Sequence, residues 1–208
     1  MTTTLFTNAH IATGEPGSTA ASTLPLQDIL VTDGVFTAFG PGLAQQYEAQ
    51  GGDLAAIEVV DLGGKLVCPP FCDTHLHLDY VFTARKPGAV NESGTLFEGI
   101  QRWSETKSDL TVDEIKQRAK IGIKKEMLHG VQLIRSHADV TDPNLTSLKA
   151  LLELKEELKD TVTLQIVSFP QEGMYSYEGP HGESGAELVE EGLKMGADCV
   201  GGIPHFEQ

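Results

Sequence analysis

The stretch KLVCPPFCDTHLHLDY, residues 65–80, decides how the chain is read. Two imidazoles, His75 and His77, and a carboxylate, Asp79, occupy alternate positions at the end of an apolar run. Side chains of a strand alternate between faces, so 75, 77 and 79 are expected on one face and Leu76 and Leu78 on the other. That pattern suits a metal ion, and it equally suits a polar strand end that binds nothing. Imidazole is a borderline ligand fit for zinc or iron, and two such groups need partners from elsewhere to complete the sphere.

Downstream of this stretch the sequence alternates between apolar runs and helical periodicity. After a long loop through GAVNESGTLFEGIQRW (88–103), residues 111–130 repeat at helical spacing. That segment opens on Thr111 and Glu114, spaced as a capping box, and stops at Gly130, with His129 beside the helix C-terminus. VQLIRSHADV (131–140) reads as a strand. DPNLTSLKALLELKEELKD (142–160) reads as a helix with Asp142 as N-cap and Pro143 at the first helical position. TVTLQIVSFP (161–170) is a third strand candidate, SGAELVEEGLKMG (184–196) a helix capped by Ser184 and Glu187, and DCVGGIPHFE (198–207) a fourth strand.

The resulting β-α-β-α-β-α-β order with apolar strands predicts a parallel sheet covered by helices, as in a TIM barrel or a doubly wound sheet. No G-x-G-x-x-G follows the first strand, which disfavours a dinucleotide fold. Polar residues gather where the strands end: His75, His77 and Asp79; His137 and Asp139; Gln171 and Glu172; His205 and Glu207. In a barrel those ends form the active face.

Residues 1–64 read differently. Short alternating runs at 5–13, 28–40 and 56–67 are split by Asp-Gly and Gly-Gly turns, with a loop of small residues at 14–25. This predicts a small β-structure without chemistry of its own, in which His10 is a plain strand residue.

The bulk numbers exclude some functions. The 208 residues are 40% hydrophobic, enough for a substantial core, and carry a formal net charge of -15. With no basic stripe to neutralise phosphates, nucleic acid is not an expected partner, and an anionic membrane would repel the chain. No signal-like N-terminus and no long uncharged apolar run appear, and three sparse cysteines, Cys68, Cys72 and Cys199, argue for a reducing cytoplasm rather than a disulfide scaffold. The H-x-E of His181 and Glu183 lacks the P-C-x-x-C that zinc base deaminases pair with it, so it is set aside.

Several single residues keep two readings. Gln171 in SFPQEG offers a donor and an acceptor to the N–C=O edge of a heterocycle, or it caps a turn. His137 and His205 are pocket groups or ordinary strand-end histidines. Trp103 is expected to pack rather than to wall a pocket.

PPFCDTHLHLD, SGTLFEGIQRW, HADV, LQIVSFPQEG and GADCVGGIPHFE, in this order, resemble the bacterial cytosine deaminases of the amidohydrolase superfamily. The H-x-H alone points only to amidohydrolases; SGTLFEG and FPQEG are the more specific parts. The resemblance covers residues 65–208 and implies an α/β fold, a TIM-barrel (β/α)8 of metal-dependent amidohydrolase type present here as about its first four β/α units. It also implies that residues 1–64 belong to a small composite β-sandwich. His75 and His77 would be metal ligands for one divalent ion, Fe or Zn. Gln171 would hydrogen-bond the pyrimidine edge and Leu96 would lie against the base. From the residues rather than the resemblance, Asp79, His137 and His205 are candidates to support the site from behind, and no residue of this segment is assigned as the catalytic acid or base.

The activity implied is hydrolysis of cytosine to uracil and ammonia, a pyrimidine-salvage reaction, in a cytoplasmic protein that binds a nucleobase and forms a homo-oligomer. Two alternatives stand beside it: hydrolysis of another nitrogen heterocycle (isocytosine, a triazine or a cyclic amide), or a non-catalytic half-barrel that needs a partner. The family's remaining ligands and proton shuttle belong to later strands, so the chain is expected to be a fragment.

Overall fold

A computed structural model describes residues 2–12 and 24–207, so most of the small-residue loop at 14–25 lies outside the described residues. The chain divides into two compact units, Met1–Pro69 and Pro70–Gln208.

In the first unit β1 (Thr3–Ile11) pairs antiparallel with β2 (Leu26–Thr32), which pairs antiparallel with β3 (Val35–Gly40). The β2–β3 turn has Asp33 and Gly34 both at positive φ (49° and 79°), the conformation that an Asp-Gly hairpin favours. A short helix, α1 (Leu43–Ala49), follows, and β4 (Glu58–Asp61) and β5 (Leu66–Val67) both run parallel to β1. Buried Asp28 joins the helix to the sheet: its carboxylate accepts from Asn8 N at 3.1 Å and Leu43 N at 2.9 Å.

The second unit is a parallel sheet in the order β6-β7-β8-β9, formed by β6 (Phe71–Leu76), β7 (Val131–Asp139), β8 (Thr163–Phe169) and β9 (Cys199–Val200). Helices α3 (Val112–Leu128), α4 (Thr146–Glu157) and α5 (Gly185–Met195) supply Ile115, Ala119 and Ile123, then Leu148, Leu151 and Leu154, then Leu188 and Val189, to one core. Ile134 and Ala138 of β7 and Leu164 and Ile166 of β8 meet them there. Alternate positions on the same strands, Arg135, His137 and Gln165, are only half-buried, so the sheet has one sealed face and one partly open face. Among the described residues no helix is long and apolar enough to cross a membrane.

Several local expectations hold. Thr111 and Ser184 are N-caps of α3 and α5 in reciprocal capping boxes with Glu114 and Glu187, and Gly130 has φ 86° just past the C-terminus of α3. His129 Nδ1 lies 2.8 Å from Lys125 O, at that terminus.

Four expectations need correction. The apolar run at 66–78 is not one strand: it breaks at Pro69–Pro70, where proline offers no N–H to a ladder, and its first part pairs with β1. The stretch 88–103 is not all loop, because Leu96–Lys107 forms a helix, α2. Asp142 does not cap the next helix directly; it accepts from Asn144 N and Thr146 N in a preceding turn, and Leu145 at φ 51° stands at the N-cap. The fourth strand keeps only Cys199–Val200, since Gly201, Gly202 and Pro204 follow at once.

Candidate active site

At the C-terminal ends of the parallel strands, on the open side of the sheet, lies a cavity of about 780 Å³. His75, the next-to-last residue of β6, and His77, just past its end, both line it with ring centroids 5.3 Å apart. His137, from the adjacent strand β7, stacks on His75 at 4.2 Å and lies 5.4 Å from His77. Tyr80 stacks on His77 at 4.6 Å, and Phe169 meets both His77 and His137 edge-on, so aromatic neighbours hold the rings in place.

Strand alternation stops at Leu76, and Asp79 does not share the cavity face of the histidines. It is fully buried, with Oδ2 accepting from Asp139 N at 2.9 Å and Oδ1 from Tyr80 N at 3.1 Å. Burial pushes its carboxyl up to about 7, although those amide donors pull it down. His205 is exposed, outside the cavity lining, with its ring 5.0 Å from that of Phe97. His181 and Glu183 also lie outside it, and Glu183 accepts from His181 N at 3.0 Å.

The donor set fits half of a divalent-metal site. Burial, with His137 and His75 adding to it, pulls His77 down to about 4, so its ring is neutral near pH 7, the form a metal requires. The buried Nδ1 atoms of His77 and His137 have no hydrogen-bond partner among the described residues. Among the described residues, however, no group of three His, Cys, Asp or Glu side chains makes a metal site by itself.

The wall opposite comes mainly from α2, which sequence reading missed. Leu96, Ile100 and Trp103 line the cavity along one helical stripe, and Thr95, the N-cap, accepts from Glu98 N at 3.3 Å. The signal was available: Thr95 and Glu98 have the same T-x-x-E spacing as Thr111 and Glu114. Trp103, expected only to pack, is buried, lines the cavity and donates from Nε1 to Asp139 Oδ2 at 2.7 Å. Gln171, one residue past Pro170 at the end of β8, is 4% exposed and lines the same cavity, and its Oε1 has no partner among the described residues. A buried amide oxygen left unpaired is costly unless something else satisfies it, so a ligand N–H is a fitting complement.

Residues 58–208 match the amidohydrolase family model. A 5-methylcytosine deaminase from Klebsiella pneumoniae, solved with 5-fluorocytosine, superposes with a TM-score of 0.79 at 41% identity, covering 97% of this chain and 44% of that one. An N-isopropylammelide isopropyl amidohydrolase from Pseudomonas sp. (strain ADP) is 35% identical over 148 residues, 69% of this chain and 36% of its own length. A pterin deaminase from Rhizobium rhizogenes is 27% identical over 152 residues, 71% of this chain and 32% of its own. The chain thus spans less than half the length of these relatives, and its strands and helices are those of a partial TIM-type barrel. By sequence and by fold, this chain is a member of the amidohydrolase family.

Proposed function

We propose that the chain forms the first half of a hydrolytic site that deaminates cytosine or a close analogue. The observation that carries this reading is the pairing, in one cavity, of the His75/His77 imidazoles with a buried amide, Gln171, whose oxygen has no partner among the described residues. A pyrimidine presents a flat ring with adjacent N–H and C=O groups, and a carboxamide can meet that edge with one donor and one acceptor. Leu96, Ile100 and Trp103 supply the apolar wall that a planar ring needs.

His75 and His77 would hold one divalent ion, iron or zinc, whose chemistry is to lower the pKa of water toward neutrality. In the overall reaction, water adds at the amino-bearing carbon, the C–N bond breaks, and ammonia leaves a carbonyl behind. Gln171 holds the ring edge, and the aromatic wall keeps competing water from its face. His137, itself in the cavity lining, supports the imidazoles by stacking on His75, Asp79 holds the backbone behind them through Asp139 N and Tyr80 N, and residues 1–64 serve as part of a composite β-sandwich. Three free cysteines accord with a cytoplasmic setting.

A second reading keeps the chemistry and changes the ring, and the similarity to the N-isopropylammelide hydrolase favours a triazine. The deciding experiment measures ammonia release from cytosine, isocytosine and an amino-substituted triazine, and ring opening of a cyclic amide, by the intact gene product, with metal content read on the same sample. Turnover of cytosine that vanishes in His75→Ala/His77→Ala is the expected result. Metal-free protein that turns over none of them overturns the reading in favour of a non-catalytic half-barrel.

A further inference from the structure

Behind the cavity wall lies an ionic cluster that the proposed reaction does not use. Asp139, the last residue of β7, is fully buried and yet receives five donors. Its Oδ1 accepts from Thr141 N at 2.8 Å, Thr141 Oγ1 at 2.6 Å and Gln171 N at 3.4 Å. Its Oδ2 accepts from Trp103 Nε1 at 2.7 Å and Lys107 Nζ at 3.1 Å. The same ammonium donates to Thr141 Oγ1 at 2.9 Å and to the Glu172 carboxylate, which also accepts from Ser104 Oγ at 2.7 Å. Burial opposes charge on Lys107, but Asp139 and Glu172 outweigh it and hold the ammonium above its usual value.

The placement of these groups matters more than their count. Leu96, Ile100, Trp103 and Lys107 stand at i, i+4, i+7 and i+11 on α2, so one stripe of the helix is cavity wall at its start and ionic anchor at its end. Only Ile100 and Trp103 of α2 are buried, against four residues of α3 and five of α4. Apolar burial therefore fixes α2 weakly, and the anchor carries a larger share of its docking. The anchor's other arms are Gln171 N and Glu172, the residues that place the Gln171 amide.

We propose that Lys107, Asp139 and Glu172 are positioning residues that dock α2 onto the ends of β7 and β8 and so set the gap between the Trp103 wall and the Gln171 amide. This rests on the reading of the cavity as a heterocycle site. A satisfied buried ion cluster contributes little net stability and is better suited to fixing a single geometry. The cluster would then govern how tightly the ring is held more than how fast it reacts.

Trp103 is the one tryptophan of these 208 residues, so in a background of the intact gene product where any further tryptophan is replaced by phenylalanine its fluorescence reports on the wall without any ligand. In the intact gene product, Lys107→Met and Glu172→Gln are compared with Lys107→Arg for acrylamide quenching, for KM and kcat with cytosine, and for melting temperature. Quenching is expected to rise, and KM to rise about tenfold with a smaller change in kcat, in Lys107→Met, with partial return in Lys107→Arg. In a Gln171→Ala background the KM effect of Glu172→Gln should largely disappear, because the two act through the same amide. Quenching and KM both at wild-type values, or losses that simply multiply with Gln171→Ala, would overturn the proposal. If Lys107→Met does not fold, Glu172→Gln, whose carboxylate is partly exposed, decides the matter alone. A wild type silent toward every heterocycle would sink the deaminase reading instead, and the anchor would then stand or fall on the quenching of Trp103.

Discussion

The two faces of the parallel sheet use the same strands for opposite purposes. Toward the helices, β7 presents Ile134, Ser136 and Ala138 and β8 presents Leu164, Ile166 and Ser168, all at or near zero exposure. One residue along, Arg135 and His137 alternate with them, and Arg135 Nε donates to Gln165 Oε1 at 2.6 Å across the open face. A period of two lets a strand answer two constraints independently, because a change on one face need not disturb the other. The sealed face tolerates only what packs: a Cβ on Gly192 would meet Ser168 Oγ at 2.4 Å. The other face keeps imidazoles and amides that a sealed core would reject, and it keeps them at strand ends, where loops can complete a site.

The separation of the two faces is testable by substitutions that should act on one and spare the other. The largest effect is expected for His75→Ala/His77→Ala, which removes both proposed ligands. Activity should fall by more than about 100-fold, since even supporting residues around metals are worth 10–100-fold. The melting temperature should hold, because His75 is exposed and His77 only half-buried. A large thermal loss with activity per folded molecule retained would show that the histidines are packing groups.

Leu151→Ala is the converse. Leu151 is fully buried in α4 within the helix-side core, and removing its side chain should cost about 2–5 kcal/mol. Denaturant unfolding should register that loss, while KM of the folded protein stays at its wild-type value. Gln171→Ala should come next, with a loss of about 1–3 kcal/mol in ring affinity and little in stability. A titration with cytosine followed through Trp103 would read it directly, and unchanged affinity would remove Gln171 from the site.

The contrast between the faces also explains what could be read without a structure. The sealed face was legible because helical and strand periods, capping boxes and glycine stops are local signals: Thr111/Glu114, Gly130 and Ser184/Glu187 all stand where spacing put them. The imidazoles at 75 and 77 and the amide at 171 were legible as residue types at strand ends. Their meeting in one cavity could be expected only through the inferred barrel, because no local signal sets strands β6 and β8 either side of β7. The role of Trp103 was hidden for the same reason, because its partner Asp139 is 36 residues away. Helix α2 was hidden for a different one. Gly94 and Gly99 on either side of its start weaken helix propensity and so masked the T-x-x-E spacing of Thr95 and Glu98; in the structure Glu98 gives its carboxylate to Glu92 N and Ser93 N rather than closing a reciprocal box with Thr95.

That difference between two threonine caps gives the finest test. Thr111 caps α3, which packs in the sealed core, and both halves of its box are made. Thr95 caps α2, itself lines the cavity, and holds the first turn that carries Leu96. Each loses one cap when replaced by alanine, at a cost of about 1 kcal/mol. If the helices differ only in position, Thr95→Ala and Thr111→Ala should both lower the melting temperature slightly and leave cytosine affinity alone. If the start of α2 is part of the site, only Thr95→Ala should also raise KM, by a few-fold at most. The conservative Thr95→Ser keeps the hydroxyl that Glu98 N donates to, so it should restore both readings; KM that stays raised in Thr95→Ser would trace the effect to the lost methyl against the ligand and not to the cap.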